Sequence, residues 1–218
     1  MKLFDVTKLV SLISLKNEPM LEKWARLFRY EQSLVAVRVL LKRKKKIKLL
    51  DLGCGQDALF YKYLEYHFPK DIHRIEYVGI DPLIDEKVLR KSKNRIIRTK
   101  YESYFKETSD TYDFISLFAV LEHVDDPKNL LAVLSQLLTK NGFIVGTTPS
   151  TLAKPVLELL SYQLGLISKR EIDEHKNYFD NKKIQRIYHS AYKNKNNFYL
   201  YHTYFELGLN NLFVIGRN

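Results

Sequence analysis

A glycine turn preceded by an acid lies in the stretch LLDLGCGQDALFYKY and could hold a nucleotide. Gly53 permits a tight turn, and Gly55 lets a ligand approach the backbone. Ala58 stands where dinucleotide-binding turns carry a third glycine. A helix from about Asp57 would direct its first amides at an anion. Such turns serve NAD, FAD, ATP or S-adenosylmethionine (SAM), and the missing Gly-Lys-Ser/Thr excludes a P-loop.

The acid before the glycines discriminates among these ligands. Asp51 ends an apolar run, and a carboxylate buried there costs several kcal/mol, roughly, unless it meets a cation or hydrogen-bond donors. The pyrophosphate of NAD would be repelled by Asp51, whereas the ammonium group of SAM would pair with it. An Asp that merely caps the following turn is the alternative interpretation. The residue therefore favours SAM.

A second acid ends the next apolar run, YVGIDP. Asp81 can accept hydrogen bonds from both hydroxyls of a ribose, in NAD as well as in SAM. Pro82 follows it and ends the strand. We include both residues in the predicted cofactor site.

Short apolar runs alternate with helical stretches from Ile47 onward, which predicts an α/β fold with a mostly parallel sheet. Asp126 and Pro127 are typical of a helix start, and Asn141-Gly142 of its end. The predicted strands are IKLLDLG, IEYVGIDP, NRIIRT, the start of YDFISLFAVLEHV, FIVGTTP, NFYLYHTYFEL and NLFVIG. The last two follow each other closely, so one of them must run antiparallel. Residues 1 to about 46 show helical spacing.

The stretches LLDLGCGQDA, YVGIDP and YDFISLFAVLEHVDDPKNLLAVLSQLLTKNGFIVGTTPS together resemble the class I SAM-dependent methyltransferases. The resemblance covers about residues 47–150 and is nearest to the small-molecule branch that includes ubiquinone-pathway O-methyltransferases. It implies a three-layer, Rossmann-like sheet of seven strands, mostly parallel, with one antiparallel strand in a C-terminal hairpin. We also expect residues 1–46 to form a helical cap or substrate lid and residues 47–218 a SAM-binding methyltransferase domain, in which 150–195 form an insertion that covers the substrate.

The resemblance extends the predicted cofactor site beyond the two acids and the glycines. Family members often carry an adenine-binding Asp after the third strand, where this chain reads RTKYESYF. Tyr101 is our candidate there, with Lys100 and Glu102 as alternatives. Phe118, at the end of the fourth strand, completes the cofactor set.

Two histidines are candidates for a general base, which a hydroxyl acceptor would need near neutral pH. His123 directly follows the fourth strand, and the resemblance places it with Glu122 beside the methionine end of SAM. It could instead pack against the cofactor or cap the next helix. His175 lies in DEHKNYF, in the substrate-covering segment, and could also be a solvated loop residue. Tyr178 and Phe179 are the candidate substrate contacts.

A metal site is the alternative use of these side chains. Terminal small-RNA 2′-O-methyltransferases share the fold and use Glu-x-x-Glu-His together with another histidine. Here Ala119 replaces the first glutamate. Glu122, His123 and His175 could still form a three-ligand set, but without the first acid we expect no metal.

Composition limits the remaining function classes. Cys54 is the one cysteine among 218 residues, so no intramolecular disulfide can form. No apolar run approaches the roughly 20 residues of a spanning helix, and we expect a cytoplasmic protein. The net charge of +11 and the run KRKKKIK invite an RNA partner, although a solvated helix end explains the run too. We therefore expect a small-molecule methyl acceptor, with an RNA methyltransferase or a catalytically idle SAM-binding protein as alternatives.

Overall fold

The computed structural model describes residues 9–15, 18–92, 94–163, 176–193 and 195–218. The seven strands form one sheet in the order β3-β2-β1-β4-β5-β7-β6. The pairs β1–β2, β2–β3 and β4–β5 are parallel, whereas β7 is antiparallel to both β5 and β6. The predicted Rossmann-like sheet with a single antiparallel strand is thus confirmed. The chain forms two compact units, Met1–Thr108 and Ser109–Asn218.

The first unit contains three strands and the N-terminal helices. Its strands are β1 (Ile47–Leu52), β2 (Ile75–Ile80) and β3 (Arg95–Ile97); its helices are α1 (Met20–Glu31), α2 (Leu34–Arg43), α3 (Leu59–His67), α4 (Glu86–Lys91) and α5 (Tyr101–Glu107). Residues 9–12 are also helical. Arg74 ties α2 to the sheet, because its guanidinium donates to the carbonyls of Leu41 and Lys44 at the helix end. These bonds satisfy carbonyls that a helix end leaves without intrahelical partners.

The second unit contains the other four strands. Its strands are β4 (Tyr112–Phe118), β5 (Leu138–Pro149), β6 (Phe198–Phe205) and β7 (Asn210–Arg217); its helices are α6 (Pro127–Leu137), α7 (Ala153–Glu158) and α8 (Asn181–Ala191). A π-helical turn, Leu159–Gln163, continues α7. The predicted start of α6 is confirmed, since the Asp126 side chain accepts from the Asn129 amide at 2.9 Å and Pro127 opens the helix.

The predicted end of α6 at Asn141-Gly142 is wrong. The helix ends at Leu137, and Leu138 already pairs with Tyr112 as the first residue of β5. The ladder then shifts register, so that Phe143 pairs with Phe114. Asn141 adopts a left-handed φ of 60° at this shift. The Asn-Gly pair therefore belongs to an irregularity inside the strand, a position that suits Asn and Gly for the same backbone reason as a helix stop does.

Sequence reasoning missed helix α8. Its segment reads as polar, yet Asp180 accepts from the Lys183 amide as an N-cap, and Ile184, Tyr188 and Ala191 are buried on one face. The spacing of these three residues, four and three apart, is helical. The high proportion of lysine, asparagine and arginine between them hid this signal.

Candidate active site

The glycine turn in the first unit is held by the end of strand β2. The amides of Gly53 and Cys54 donate to the Ile80 carbonyl at 2.9 and 3.2 Å. Gly53 and Gly55 have φ values of 73° and 72°, in the left-handed region that glycine adopts without strain. Ala58 is left-handed too, with φ 46° and ψ 48°. The position where a third glycine was expected therefore has a glycine-like conformation, and α3 begins after it at Leu59.

Asp81 shapes the same turn from the other side. One of its carboxylate oxygens accepts from the Gly55 amide at 3.0 Å and the other from the Leu83 amide at 2.7 Å. Asp81 is partly exposed, and Pro82 beside it is exposed. A Cβ added to Gly55 would meet no heavy atom within 4 Å. The turn thus has open space beside Gly55 and an accessible carboxylate next to it, which fits the nucleoside end of a cofactor.

Asp51 is a buried carboxylate, 2% exposed. It accepts a hydrogen bond from the Tyr77 hydroxyl at 2.5 Å. The interpretation of Asp51 as a cap for the turn stays an alternative; the Gly53 and Cys54 amides donate to the Ile80 carbonyl.

The surroundings of Asp51 favour a positive charge. Burial and the negative charge of Asp51 raise the pKa of the hydroxyls of Tyr30 and Tyr77, so both stay protonated. Burial, Asp51 and Asp81 raise the pKa of the Cys54 thiol in the same direction. A cationic ammonium group would be stabilised in this negative field, whereas a phosphate would not. Sequence reasoning missed the hydrogen bond from Tyr77 to Asp51, because only the β1–β2 register brings the two residues together.

The remaining predicted cofactor residues lie at element ends. Tyr101 is the first residue of α5 and is partly exposed, and its ring centroid is 5.8 Å from that of Phe105. Of the two alternatives to Tyr101 for the adenine position, Lys100 is the N-cap of α5 and Glu102 is exposed. Phe118, in the second unit, is the buried last residue of β4.

A short 3₁₀ turn, Leu121–His123, follows β4 in the second unit. Ala119 leads into it with φ 55°, a conformation that is uncommon for a residue with a Cβ. Glu122 is 1% exposed, and His123 is half-buried. The turn therefore presents a partly accessible imidazole next to a buried carboxylate. His175, the other predicted base, lies outside the described residues.

A strap, residues 176–180, crosses this turn. The amides of Lys176 and Asn177 donate to the Glu122 carbonyl at 2.9 and 3.1 Å, and the Asn177 side chain donates to the Val124 carbonyl at 3.1 Å. The Lys176 ammonium lies 2.7 Å from the Asp125 carboxylate. Backbone contacts thus join two segments about fifty residues apart in sequence.

The two predicted substrate contacts, Tyr178 and Phe179, lie on this strap in different environments. Tyr178 is half-buried, and burial, then Glu158 and Glu122, raise the pKa of its hydroxyl. Phe179 is fully buried, its amide donates to the Pro149 carbonyl at 3.3 Å, and the Lys183 ammonium lies 4.5 Å from its ring centroid. The geometry makes Phe179 an anchor of the strap and leaves Tyr178 as the better placed of the two for an acceptor.

A family model described as "Methyltransferase domain" matches residues 24–191, most of the chain. The chain belongs to this methyltransferase family. With the seven-stranded sheet and the glycine turn, membership confirms the prediction of a class I SAM-dependent methyltransferase with SAM as cofactor.

Two curated relatives of this methyltransferase are mitochondrial ubiquinone biosynthesis O-methyltransferases. The protein from Dictyostelium discoideum is 26% identical over 129 residues, which cover 55% of this chain and 39% of the relative. The Homo sapiens protein is 29% identical over 139 residues, which cover 58% of this chain and 33% of the relative. The chain therefore matches well under half of each relative's length.

Two solved structures share the fold of this methyltransferase. The plantazolicin methyltransferase BpumL, in complex with a monoazolic desmethylPZN analogue and SAH, is 15% identical, with a TM-score of 0.66 over 89% of this chain and 84% of its own. Magnesium protoporphyrin IX methyltransferase from Synechocystis PCC 6803, with bound SAH, is 14% identical, with a TM-score of 0.58 over 99% and 94%. At these identities the likeness shows the fold.

Within the described ranges, no three His, Cys, Asp or Glu side chains come together as metal ligands; His175, one member of the set considered from the sequence, is outside these ranges. Among the same residues, no helix combines the length and the apolar character needed to span a bilayer.

Proposed function

We propose that this methyltransferase transfers the methyl group of SAM to an oxygen atom of a small-molecule acceptor. The observation that carries the proposal is the half-buried His123 in the turn after β4, next to the strap that presents Tyr178. The similarity to two ubiquinone biosynthesis O-methyltransferases supports it. We retain the division into a cap, residues 1–46, and a SAM-binding domain, residues 47–218, as part of this proposal.

The first unit supplies the residues that would hold the cofactor. The backbone at Gly53 and Gly55 would face the nucleoside, the Asp81 carboxylate would accept from the ribose hydroxyls, and Asp51 would pair with the ammonium group. When bound, SAM supplies a methyl group that its sulfonium has already activated. The protein then has to orient the acceptor oxygen and exclude water.

The second unit supplies the residues that would act on the acceptor. We assign His123 as the base that would take the proton of the acceptor hydroxyl as that oxygen displaces SAH from the methyl group. Tyr178 keeps its own proton, because burial and two carboxylates raise its pKa, so it would donate a hydrogen bond to the acceptor. The role predicted for His175 stays a prediction.

Transfer of labelled methyl from SAM to a fractionated cell extract tests this function. We expect label in the small-molecule fraction with the wild type and a loss of about 10²-fold or more in kcat for His123→Gln, the contribution typical of a general base. His73→Gln, at an exposed histidine of the turn Ile72–Arg74, is the matched control and should behave like the wild type. Label in no fraction despite SAM binding would leave a catalytically idle protein. Unchanged kcat in His123→Gln would remove this residue as the base.

An RNA acceptor is the second candidate, because the basic run at the end of α2 is exposed. The exposed residues of this run are Lys42, Arg43, Lys45 and Lys46. Binding to RNA through these side chains should weaken steeply as salt increases, with a slope set by the number of phosphates contacted. A variant with glutamine at the four positions should flatten that slope. Label in the RNA fraction together with this salt dependence would replace the small-molecule proposal.

A further inference from the structure

The carboxylate of Asp51 is held by a side chain from the neighbouring strand. In the parallel β1–β2 register, Asp51 lies opposite Gly79, and Tyr77 precedes Gly79 by two residues. Residues two apart on a strand share a face, so Tyr77 lies on the same face of the sheet as Gly79 and its partner Asp51. Its hydroxyl donates to Asp51 Oδ2 at 2.5 Å, and both residues are 2% exposed.

Gly79 makes room for this hydrogen bond. A Cβ at this position would lie 3.0 Å from Tyr77 Cε1 and 3.0 Å from Cys54 Sγ. The short distance to Tyr77 Cε1 shows that the Tyr77 ring lies in the space that a side chain at position 79 would occupy. In this space the ring reaches from the Tyr77 backbone to the Asp51 carboxylate. The ring is also packed edge-on against Tyr61, with centroids 5.3 Å apart. Packing therefore fixes the Tyr77 ring in the orientation that brings its hydroxyl to the Asp51 carboxylate.

We propose that Tyr77 is a positioning residue for cofactor binding, whose hydroxyl holds the buried Asp51 carboxylate oriented and ionised for the ammonium group of SAM. The inference rests on the proposed cofactor role of Asp51. A hydroxyl that donates to a carboxylate favours its charged form, which burial alone would disfavour. A protonated Asp51 would carry no charge to attract the ammonium.

Other polar groups also surround Asp51. The hydroxyl of Tyr30 and the thiol of Cys54 lie in the field of Asp51, and Arg26 and Arg29 act on Tyr30. Tyr77 makes a direct hydrogen bond to Asp51 and is itself kept protonated by burial and by Asp51. Its hydroxyl therefore stays a hydrogen-bond donor near neutral pH.

Two ligands separate this role from a merely structural one. SAH carries the amino-acid end with its ammonium group, whereas 5′-methylthioadenosine has the same nucleoside and lacks that end. For Tyr77→Phe we expect about tenfold weaker SAH binding, the scale of one charge-assisted hydrogen bond, and unchanged binding of 5′-methylthioadenosine. Tyr61→Phe removes a hydroxyl from the ring that packs on Tyr77 and is the matched control; it should bind both ligands as the wild type does.

The pH dependence of SAH binding provides a second readout. In Tyr77→Phe the affinity should begin to fall at a higher pH than in the wild type, because Asp51 protonates more easily without its donor. Asp51→Asn should bind SAH weakly at every pH. If Tyr77→Phe does not fold, Tyr77→Met, whose flexible side chain fills the space and also lacks the donor, should show the same selective loss.

The outcomes distinguish the two proposals. Equal weakening of both ligands in Tyr77→Phe, or none, would overturn the positioning role while the cofactor assignment stands. Failure of the wild type to bind SAH would overturn the cofactor assignment and, with it, this inference.

Discussion

Gly55→Ala tests whether the glycine turn faces the cofactor. Gly55 has φ +72°, and a Cβ there would meet no heavy atom within 4 Å. The substitution therefore causes no clash inside the protein, and its cost to stability is the left-handed backbone strain of about 1–2 kcal/mol. For a chain of this size the melting temperature should fall by about 2–8 °C.

A control variant separates this strain from an effect on the ligand. Gly208 has φ +88°, and its nearest contact for an added Cβ is Leu152 Cδ1 at 3.9 Å, an ordinary van der Waals distance. Gly208→Ala should therefore lose a similar amount of stability in the turn before β7. In Gly55→Ala the new methyl would also enter the space that the cofactor needs. We expect its SAH affinity to fall by about tenfold or more, which is at least about 1.4 kcal/mol.

Titration calorimetry and thermal melts with SAH measure both effects. At about 100 times the dissociation constant, SAH should stabilise the wild type and Gly208→Ala by about 2.7 kcal/mol, and Gly55→Ala by much less at the same concentration. Wild-type SAH affinity in Gly55→Ala, with the expected loss of stability, would show that the open side of the turn does not face the ligand and would refute the assignment.

Three further predictions concern stability. Leu207 is fully exposed at φ 56°, so Leu207→Gly should raise the free energy of unfolding in urea by about 1 kcal/mol; Leu207→Ala keeps the strain, and an equal gain from it would contradict this reason. Burial lowers the pKa of His67 below its ordinary value, so the folded state binds its proton less readily than the unfolded state. The free energy of unfolding should therefore fall as pH drops through about 6.5. In urea titrations this fall should be smaller for His67→Gln than for the wild type, and for the exposed His73→Gln it should equal that of the wild type. Gly146→Ala would place a Cβ 2.0 Å from Phe213 Cζ in the core and should cost about 3 kcal/mol or more; a melting temperature near the wild type's would show that the Phe213 ring can move.

The elements that could be predicted are those whose signals are local. Alternating apolar runs and helical spacing predicted the sheet, and Asp126 with Pro127 marked the start of α6. The end of α6 could not be predicted, because Asn141-Gly142 suits a helix stop and a strand irregularity equally. The pairing of Leu138 with Tyr112 ends the helix earlier, and this pairing depends on a residue far away in the chain.

The residues of the candidate site also fall into those with a local sequence signal and those without one. Asp51 and Asp81 were recognisable because each acid ends an apolar run, and the glycine turn was recognisable because its spacing is local. The contact between Tyr77 and Asp51 depends on strand register, and the strap on a carbonyl at Glu122 about fifty residues before it. Neither leaves a pattern in the sequence around it.

The sequence by itself determined the order of the strands along the chain, the glycine turn and the two acids beside it, because backbone propensity and apolar periodicity act over a few residues. Only the tertiary structure decided that Ala58 adopts the conformation of the missing glycine, that Tyr77 holds Asp51, and that Tyr178 and Phe179 have different environments. These features depend on which distant segments pack together. Packing is chosen by the whole chain's burial and pairing, and it can impose on one residue a conformation or a partner that its own neighbours in sequence do not specify.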